Sequence, residues 1–217
     1  MSENFPDAYA HANPFFVEKI AAFSGSAVVL DVGCWNGTLG RTLIRRCDAV
    51  VDGIERDAQQ AATALENGYR SVDIVDLNLD SPHMGARRYD FILFGDVLEH
   101  LLHPEVVLVE LSRSLNVGGR VLVSLPNIAF ASNRLSHLFG RWDYKDYGIL
   151  DRTHLRFFTK RSMIRLVENA GLRVTSVEGY VGLHKYPSLV REPLRFLGRH
   201  WPSLFAIQIV ICAERPG

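Results

Sequence analysis

The sequence predicts an α/β chain built on a parallel sheet with helices on both faces. Three observations carry this. Short apolar runs rich in β-branched residues alternate with segments of helical spacing from Ala27 to Leu125. The connections between them are only a few residues long, which with right-handed crossovers gives one layered sheet. Several of the runs end in a glycine or an acid, at Asp31 and Gly33, Glu55, Asp76, and Gly95 and Asp96. In open α/β sheets the carboxyl ends of the strands line the ligand crevice.

The elements follow in order. Residues 1 to about 13 form a polar entry in which Tyr9 and His11 are candidates for a lid or a plain surface tail. Pro14 opens a helix through Phe23, with Phe16, Ile20 and Phe23 on one face. Ala27 to Leu30 forms the first strand, and Asp31, Gly33, Cys34, Trp35, Asn36 and Gly37 form a turn. Helical spacing resumes at Thr38, with Leu39, Leu43 and Ile44 on one side. A strand that breaks at glycine and re-enters as a helix leaves backbone N–H groups unpaired and room for a ligand. Dinucleotide readers use G-x-G-x-x-G, and here Trp35 stands at the middle glycine, which disfavours a pyrophosphate. Asp31 suits a ligand carrying positive charge. Cys34 is either reactive or a small packed residue.

Ala49 to Ile54 is the second strand, and its terminal Glu55 lies 22 residues beyond Gly33, the place for a carboxylate that accepts from ribose hydroxyls. Asp57 is an N-cap candidate for a helix that Asn67-Gly68 stops. Ser71 to Val75 is the third strand, ending at Asp76-Leu77. Tyr89 to Phe94, apolar on both faces, is a central strand leading into Gly95-Asp96-Val97-Leu98-Glu99-His100. Pro104 begins a helix carrying Leu108, Leu111 and Leu115, which Asn116-Val117-Gly118-Gly119 ends, and Arg120 to Leu125 is the fifth strand.

From Pro126 the rhythm changes. Residues 126–158 lack a clean strand and contain a helical patch around Leu135 to Phe139, and a loop of that length is usually functional. This is the expected acceptor lid. Thr159 caps a helix carrying Met163, Leu166, Val167 and Ala170, stopped at Gly171. Leu172 to Val181 and Phe205 to Ala213 are the last two strands. Between them, at about 187–200, Arg191, Arg195, Arg199 and His200 interleave with Leu194, Phe196 and Leu197, a basic amphipathic segment that suits a solvated face or peripheral contact with a membrane.

The 217 residues suit a single domain, and 24 basic against 24 acidic side chains create no demand for a nucleic-acid partner. Cys34, Cys47 and Cys212 show no ligand spacing and fit a reducing compartment. The N-terminus has no signal-peptide pattern and no apolar run reaches about 18 residues, so a soluble cytoplasmic protein without a transmembrane segment is expected.

Asp31, Gly33 and Gly37 resemble motif I of the class I S-adenosylmethionine (SAM) methyltransferases, (D/E)-x-G-x-G-x-G, with Trp35 departing at the middle glycine. GDVLEHL, LNVGGRVLVSLPN and DRTHLRFFT are similar to the Methyltransf_23-type branch. Within it, the LEH segment is similar to ubiquinone-biosynthesis O-methyltransferases and SLPN to MetW-type proteins. DRTHLRFFT also resembles methyltransferases that accompany glycosyltransferases. The resemblance implies a Rossmann-like sheet of seven strands, the last antiparallel between strands five and six. It implies SAM as cofactor, held by Asp31, Gly33, Cys34, Trp35, Gly37, Glu55 and Asp96. It further implies an acid at the third strand's end on the adenine amino group, best matched by Asp76 beside Leu77, with Asp73 and Asp80 as competitors.

Methyl transfer from a sulfonium needs a nucleophile held close, water excluded and, for a hydroxyl, its proton removed. His100 and His154 are the candidate bases. Asp151 precedes His154 by three residues and either orients its imidazole or clamps the loop, while His100 alternatively makes a structural bond in its turn. His83, His103, His137 and His184 show no metal spacing, so no catalytic metal is expected. The expected function is methylation of oxygen on a small molecule, including a sugar or glycan precursor. The alternatives are a MetW-like partner that binds SAM without turnover, and an NAD-dependent oxidoreductase, against which Trp35 stands.

Overall fold

The computed structural model describes residues 13–182 and 188–216. Tyr9, His11 and His184 lie outside them. Seven strands form one sheet in the order β3-β2-β1-β4-β5-β7-β6. These are β1 (Val28–Val32), β2 (Val50–Glu55), β3 (Ser71–Ile74), β4 (Tyr89–Gly95), β5 (Leu115–Pro126), β6 (Arg173–Tyr180) and β7 (Gln208–Glu214). The first five run parallel, and β7 pairs antiparallel with both β5 and β6. The expected seven strands, with the last reversed and inserted between five and six, are present.

Helices α1 (Pro14–Ala21), α2 (Thr38–Cys47) and α3 (Ala58–Glu66) precede β4. Asn13 caps α1 by accepting from Phe15 N, and Asp57 caps α3 by accepting from Gln59 N and Gln60 N. One face of the sheet, with Val29, Val51, Phe91 and Leu93, packs against Phe16, Ile20, Leu43, Ala64 and Tyr69. The other face, with Leu30, Val32, Ile92 and Phe94, packs against Leu108 and Leu111 of α4 (Pro104–Ser112) and Met163 and Val167 of α6 (Lys160–Asn169). Alternate residues of β4 thus enter opposite cores, which is why the strand reads as continuously apolar. A fully buried side chain of this size contributes about 1.5–3 kcal/mol.

Several boundaries differ from expectation: α1 stops at Ala21, β1 runs on to Val32 and takes in Asp31, and two differences are larger. The fourth helix ends at Ser112, and Leu115 already pairs with Tyr89 as the first residue of β5. Asn116-Val117-Gly118-Gly119 is therefore a bulge inside a strand, where the β4–β5 register slips between Tyr89 and Phe91. Leu115 kept the helical spacing only because it is core by either route. At the C-terminal end, Phe205 belongs to the short α8 (Pro202–Phe205), and β7 begins at Gln208.

The segment 126–158 holds α5 (Ala131–Leu138), a turn longer than its sequence patch toward the N-terminus. Isolated bridges join Asn127 to Phe158 and Lys145 to Asp151. Asn127 is buried and its amide donates to the carbonyl of Ala206 at 2.9 Å, fastening the segment's root to the β7 approach. Helix α7 (Ser188–His200) buries only Gly198, which meets Val181 at the sheet edge. Arg191, Arg195 and Arg199 recur every fourth residue on one side, while Leu189 and Phe196 on the other are exposed. Among the described residues, no helix is long and apolar enough to cross a membrane.

Candidate SAM and methyl-transfer site

The carboxyl ends of β1, β2 and β4 are adjacent by register, Val32 facing Ile54 on one side and Phe94 on the other. The turn after β1 alternates in its exposure. Gly33 and Trp35 face outward, while Cys34 and Gly37 are buried. Gly33 has φ +67° and its missing Cβ would lie 2.6 Å from Val97 Cγ2, so glycine is needed to let the turns after β1 and β4 touch. Gly37 answers to a different demand: at φ +78°, a Cβ there would meet Ala64 Cα of α3 and the Tyr69 ring, each at 2.8 Å. Its missing side chain makes room for that helix and ring. Cys34 likewise turns its side chain inward, and Gly53 on β2 gives its sulfur space, which is the packed one of its two readings. Burial pushes its thiol well above the ordinary range, as an inert packed cysteine should be.

Trp35 adopts φ +48°, an unfavourable backbone for a side chain of this size. Glu55 holds it there. Glu55 Oε2 accepts from Trp35 N at 2.9 Å, and Oε1 accepts from Arg56 N at 2.9 Å and Asp57 N at 3.0 Å. The acid that sequence spacing assigned to ribose therefore also ties the β1 turn to β2.

Asp31 is buried, and its Oδ2 accepts from the Tyr69 hydroxyl at 2.6 Å. Burial raises its carboxyl to about 7, the Tyr69 bond opposes that rise, and the charge of Glu55 adds to it. A carboxyl poised there ionises readily when a cationic ligand arrives. After β3, Asp76 and Leu77 are half-buried, and Asp76 Oδ1 accepts from Asn78 N at 2.9 Å. Asn78 in turn donates to the His100 carbonyl at 3.2 Å and accepts from Leu102 N at 2.8 Å, so the loop after β3 is joined to the turn after β4. Of the competitors, Asp73 is committed to Arg87 at 2.5 Å and Asp80 is exposed. Asp96, at φ +56°, receives the Gln208 amide at 2.7 and 2.8 Å, and burial lifts its carboxyl to about 7 against that bond.

The histidines meet as the sequence could not show. Leu98 to His100 is a short 3-10 turn, and the DRTHLRFF segment docks on it through Leu155 N and Arg156 N, which donate to the Glu99 carbonyl at 2.8 and 3.0 Å. The two imidazole centroids are 4.8 Å apart, edge to face. Each Nδ1 lies 3.2 Å from a carbonyl, Thr153 O for His100 and Ile149 O for His154. A carbonyl only accepts, so both Nδ1 atoms carry the hydrogen and both Nε2 atoms keep a lone pair. Burial lowers both pKa values, His100 also depressing His154, so both rings are neutral near pH 7.

Glu99 was not singled out from the sequence. It is 1 % exposed, and neither carboxylate oxygen has a hydrogen-bond partner among the described residues. Burial first, then the charges of Asp96 and Asp151, drive its pKa far up, so it is a neutral acid. Its Oε1 lies 4.0 Å from His154 Nε2. Asp151 does not orient His154: its carboxylate accepts from Thr153 N at 2.8 Å and Thr153 Oγ1 at 2.7 Å, a clamp for the loop. Glu99, His100 and His154 present ligand atoms within 4.8 Å of one another, a grouping hidden from linear spacing. Two ligands of a tetrahedral zinc sit roughly 3.3 Å apart, given bonds of about 2.0–2.1 Å, so the cluster as it stands is open. Its sequence signal was the acid between Leu98 and His100, ahead of a buried turn.

Beyond His154 the segment 126–158 contributes rings. Phe157 lies 6.2 Å from His154, and Trp142 meets Phe157 edge to face at 5.2 Å, with Tyr144 alongside.

Comparison with known proteins agrees with this architecture. The Methyltransf_23 model, described as a methyltransferase domain, matches residues 6–177. The ubiquinone biosynthesis O-methyltransferase of Vibrio atlanticus is 27% identical over 177 residues, covering 80% of this chain and 73% of its own. The protein of the same name from Chromobacterium violaceum is 28% identical, covering 76% and 72%. Among solved structures, a SAM-dependent methyltransferase from Aquifex aeolicus superposes with TM-score 0.62 at 18% identity, covering 98% of this chain and 95% of its own. One from Mesorhizobium loti gives 0.64 at 14%, covering 92% and 96%. The chain belongs to the Methyltransf_23 methyltransferase-domain family, and is a SAM-dependent methyltransferase of class I.

Proposed function

We propose that this enzyme methylates a hydroxyl on a ring-shaped small molecule, a phenol or a sugar, with His100 as general base. The observation that carries this is the His100 imidazole, half-buried, neutral and tautomerically fixed with Nε2 bare, on the turn directly after β4. SAM supplies an electrophilic methyl group. Asp31, Gly33, Trp35, Glu55, Asp76, Leu77 and Asp96 line the crevice assigned to it, with Glu55 on the ribose and Asp76 toward the adenine.

In this mechanism, the acceptor ring packs against Trp142, Tyr144 and Phe157 and its hydroxyl proton passes to His100 Nε2, while bound SAM would supply the methyl group to the oxygen and would leave as S-adenosylhomocysteine. His154, with Glu99 behind it, keeps the neighbouring site neutral and dry. Asp151 holds the loop that completes the pocket. O-methylation draws further support from the relatives named for ubiquinone biosynthesis.

Detection of S-adenosylhomocysteine (SAH) release with a panel of catechols and sugar-containing acceptors tests the assignment. Acceptor-dependent SAH release that is lost in His100→Ala supports it. SAH binding with no turnover on any acceptor, together with co-purification of another enzyme, would favour a binding partner instead.

A further inference from the structure

Tyr69 has no counterpart in the motifs, yet it sits beneath the β1 turn as a built part. Its ring is 4 % exposed and fills a slot made by three glycines. A Cβ at Gly40 would lie 2.2 Å from Tyr69 Cζ, one at Gly37 2.8 Å from Cε2, and one at Gly53 3.1 Å from Cδ1. The hydroxyl at the end of that ring makes two bonds. It donates to Asp31 Oδ2 at 2.6 Å and accepts from Gly40 N at 3.0 Å. Gly40 is the third residue of α2, whose first-turn amides have no intrahelical acceptor, and the N-cap Gly37 has no side chain to serve them. Tyr69 therefore links the end of β1 to the start of α2 from below.

We propose that Tyr69 is a positioning residue of the cofactor site: it ties the Asp31 carboxylate to the first turn of α2 and so aims it at the ammonium of the cofactor's amino-acid arm. This rests on the SAM crevice proposed above, in which Asp31 is the buried acid suited to the ligand's positive charge. The groups that face Asp31 are Tyr69, Glu55 from β2 and Cys34 from the turn. Of these only Tyr69 offers a proton to the carboxylate. Without it, burial and the Glu55 charge act unopposed, and the Asp31 carboxyl holds its own proton at neutral pH, when it should be an anion.

Isothermal titration with SAH and with methylthioadenosine, which keeps the nucleoside but lacks the amino-acid arm, separates positioning from packing. Tyr69→Phe preserves the ring in its slot. At pH 7 it is expected to weaken SAH roughly tenfold, the scale of one lost hydrogen bond to an ionised carboxylate, with methylthioadenosine within about twofold of wild type. The pH above which SAH binds tightly should move upward in the variant. Asp31→Asn, which leaves the ring and its slot untouched, should reproduce the same selective loss, and the double variant should be no worse than Asp31→Asn. Equal weakening of both ligands, or an unshifted pH profile, would overturn the positioning role. Failure of wild-type protein to bind SAH at any pH would instead overturn the cofactor assignment itself, and this proposal with it.

Discussion

Replacing Glu55 tests the cofactor assignment most directly, because its bonds fix what should be lost. Oε1 is filled by Arg56 N and Asp57 N, whereas Oε2 takes only Trp35 N among the described residues. An oxygen of a carboxylate has two acceptor positions, so Oε2 retains one, which the ribose should occupy. Glu55→Ala then removes one charged bond to the ribose and loosens the strained Trp35 backbone. Together these should weaken SAH by about 1–3 kcal/mol, roughly 5- to 150-fold in Kd. Glu55→Gln should be no milder. If its carbonyl keeps the Arg56 and Asp57 amides, its NH2 faces the Trp35 N–H, donor against donor. Calorimetry with SAH and its 2′-deoxy analogue measures this. Wild type should discriminate between the two ligands, and both variants should lose that discrimination. Wild-type affinity in Glu55→Ala, or a preference for the ribose hydroxyl that survives it, would refute the assignment.

His100→Ala should lower kcat by about 10²–10⁴-fold, the range for loss of a general base. Because its pKa is lowered, wild-type kcat/KM for the acceptor, measured at saturating SAM so that Asp31 is already ionised, should rise with pH below the ordinary histidine value and be level above 7, and EDTA should leave the rate unchanged. A limb above pH 7, or a chelator loss restored by a divalent ion, would move the role elsewhere. Gly37→Ala should destabilise by about 2–4 kcal/mol in urea titration, through its positive φ and its collision with the α3 backbone. Asp31 and Asp96 hold protons up to about 7 in the fold that an unfolded chain releases near 3.8, the ordinary aspartate value. The ligand-free protein should therefore lose stability as pH rises through that window. SAH should offset the part due to Asp31, and melting curves at pH 5 and 7.5, with and without SAH, check the sign.

The contrast between Glu55 and Tyr69 shows what was legible in the chain. Glu55, Asp31 and Asp96 announce themselves because a strand is short, its end is marked, and ends of neighbouring parallel strands share one crevice. Local pattern plus topology suffices for such residues. Tyr69 follows a helix stop at Asn67-Gly68 with no periodicity of its own, and its meaning lies in three glycines 16 to 32 positions earlier. Those glycines are visible in the sequence, but nothing local sets Gly40 inside a helix or Gly53 inside a strand apart; only the fold shows them as one slot. Glu99 was hidden for the opposite reason. An acid in a polar-looking LEH run suggests solvent, and only the docking of residues 151–158 onto its own carbonyl removes it from water. The bulge at Asn116 to Gly119 adds a third kind of concealment, since a helix stop and a strand bulge ask for the same glycines. Where one residue type satisfies two local structures, the long-range partner decides. Here the partner was Tyr89 on β4, whose pairing with Leu115 starts the strand four residues ahead of the glycine pair's end.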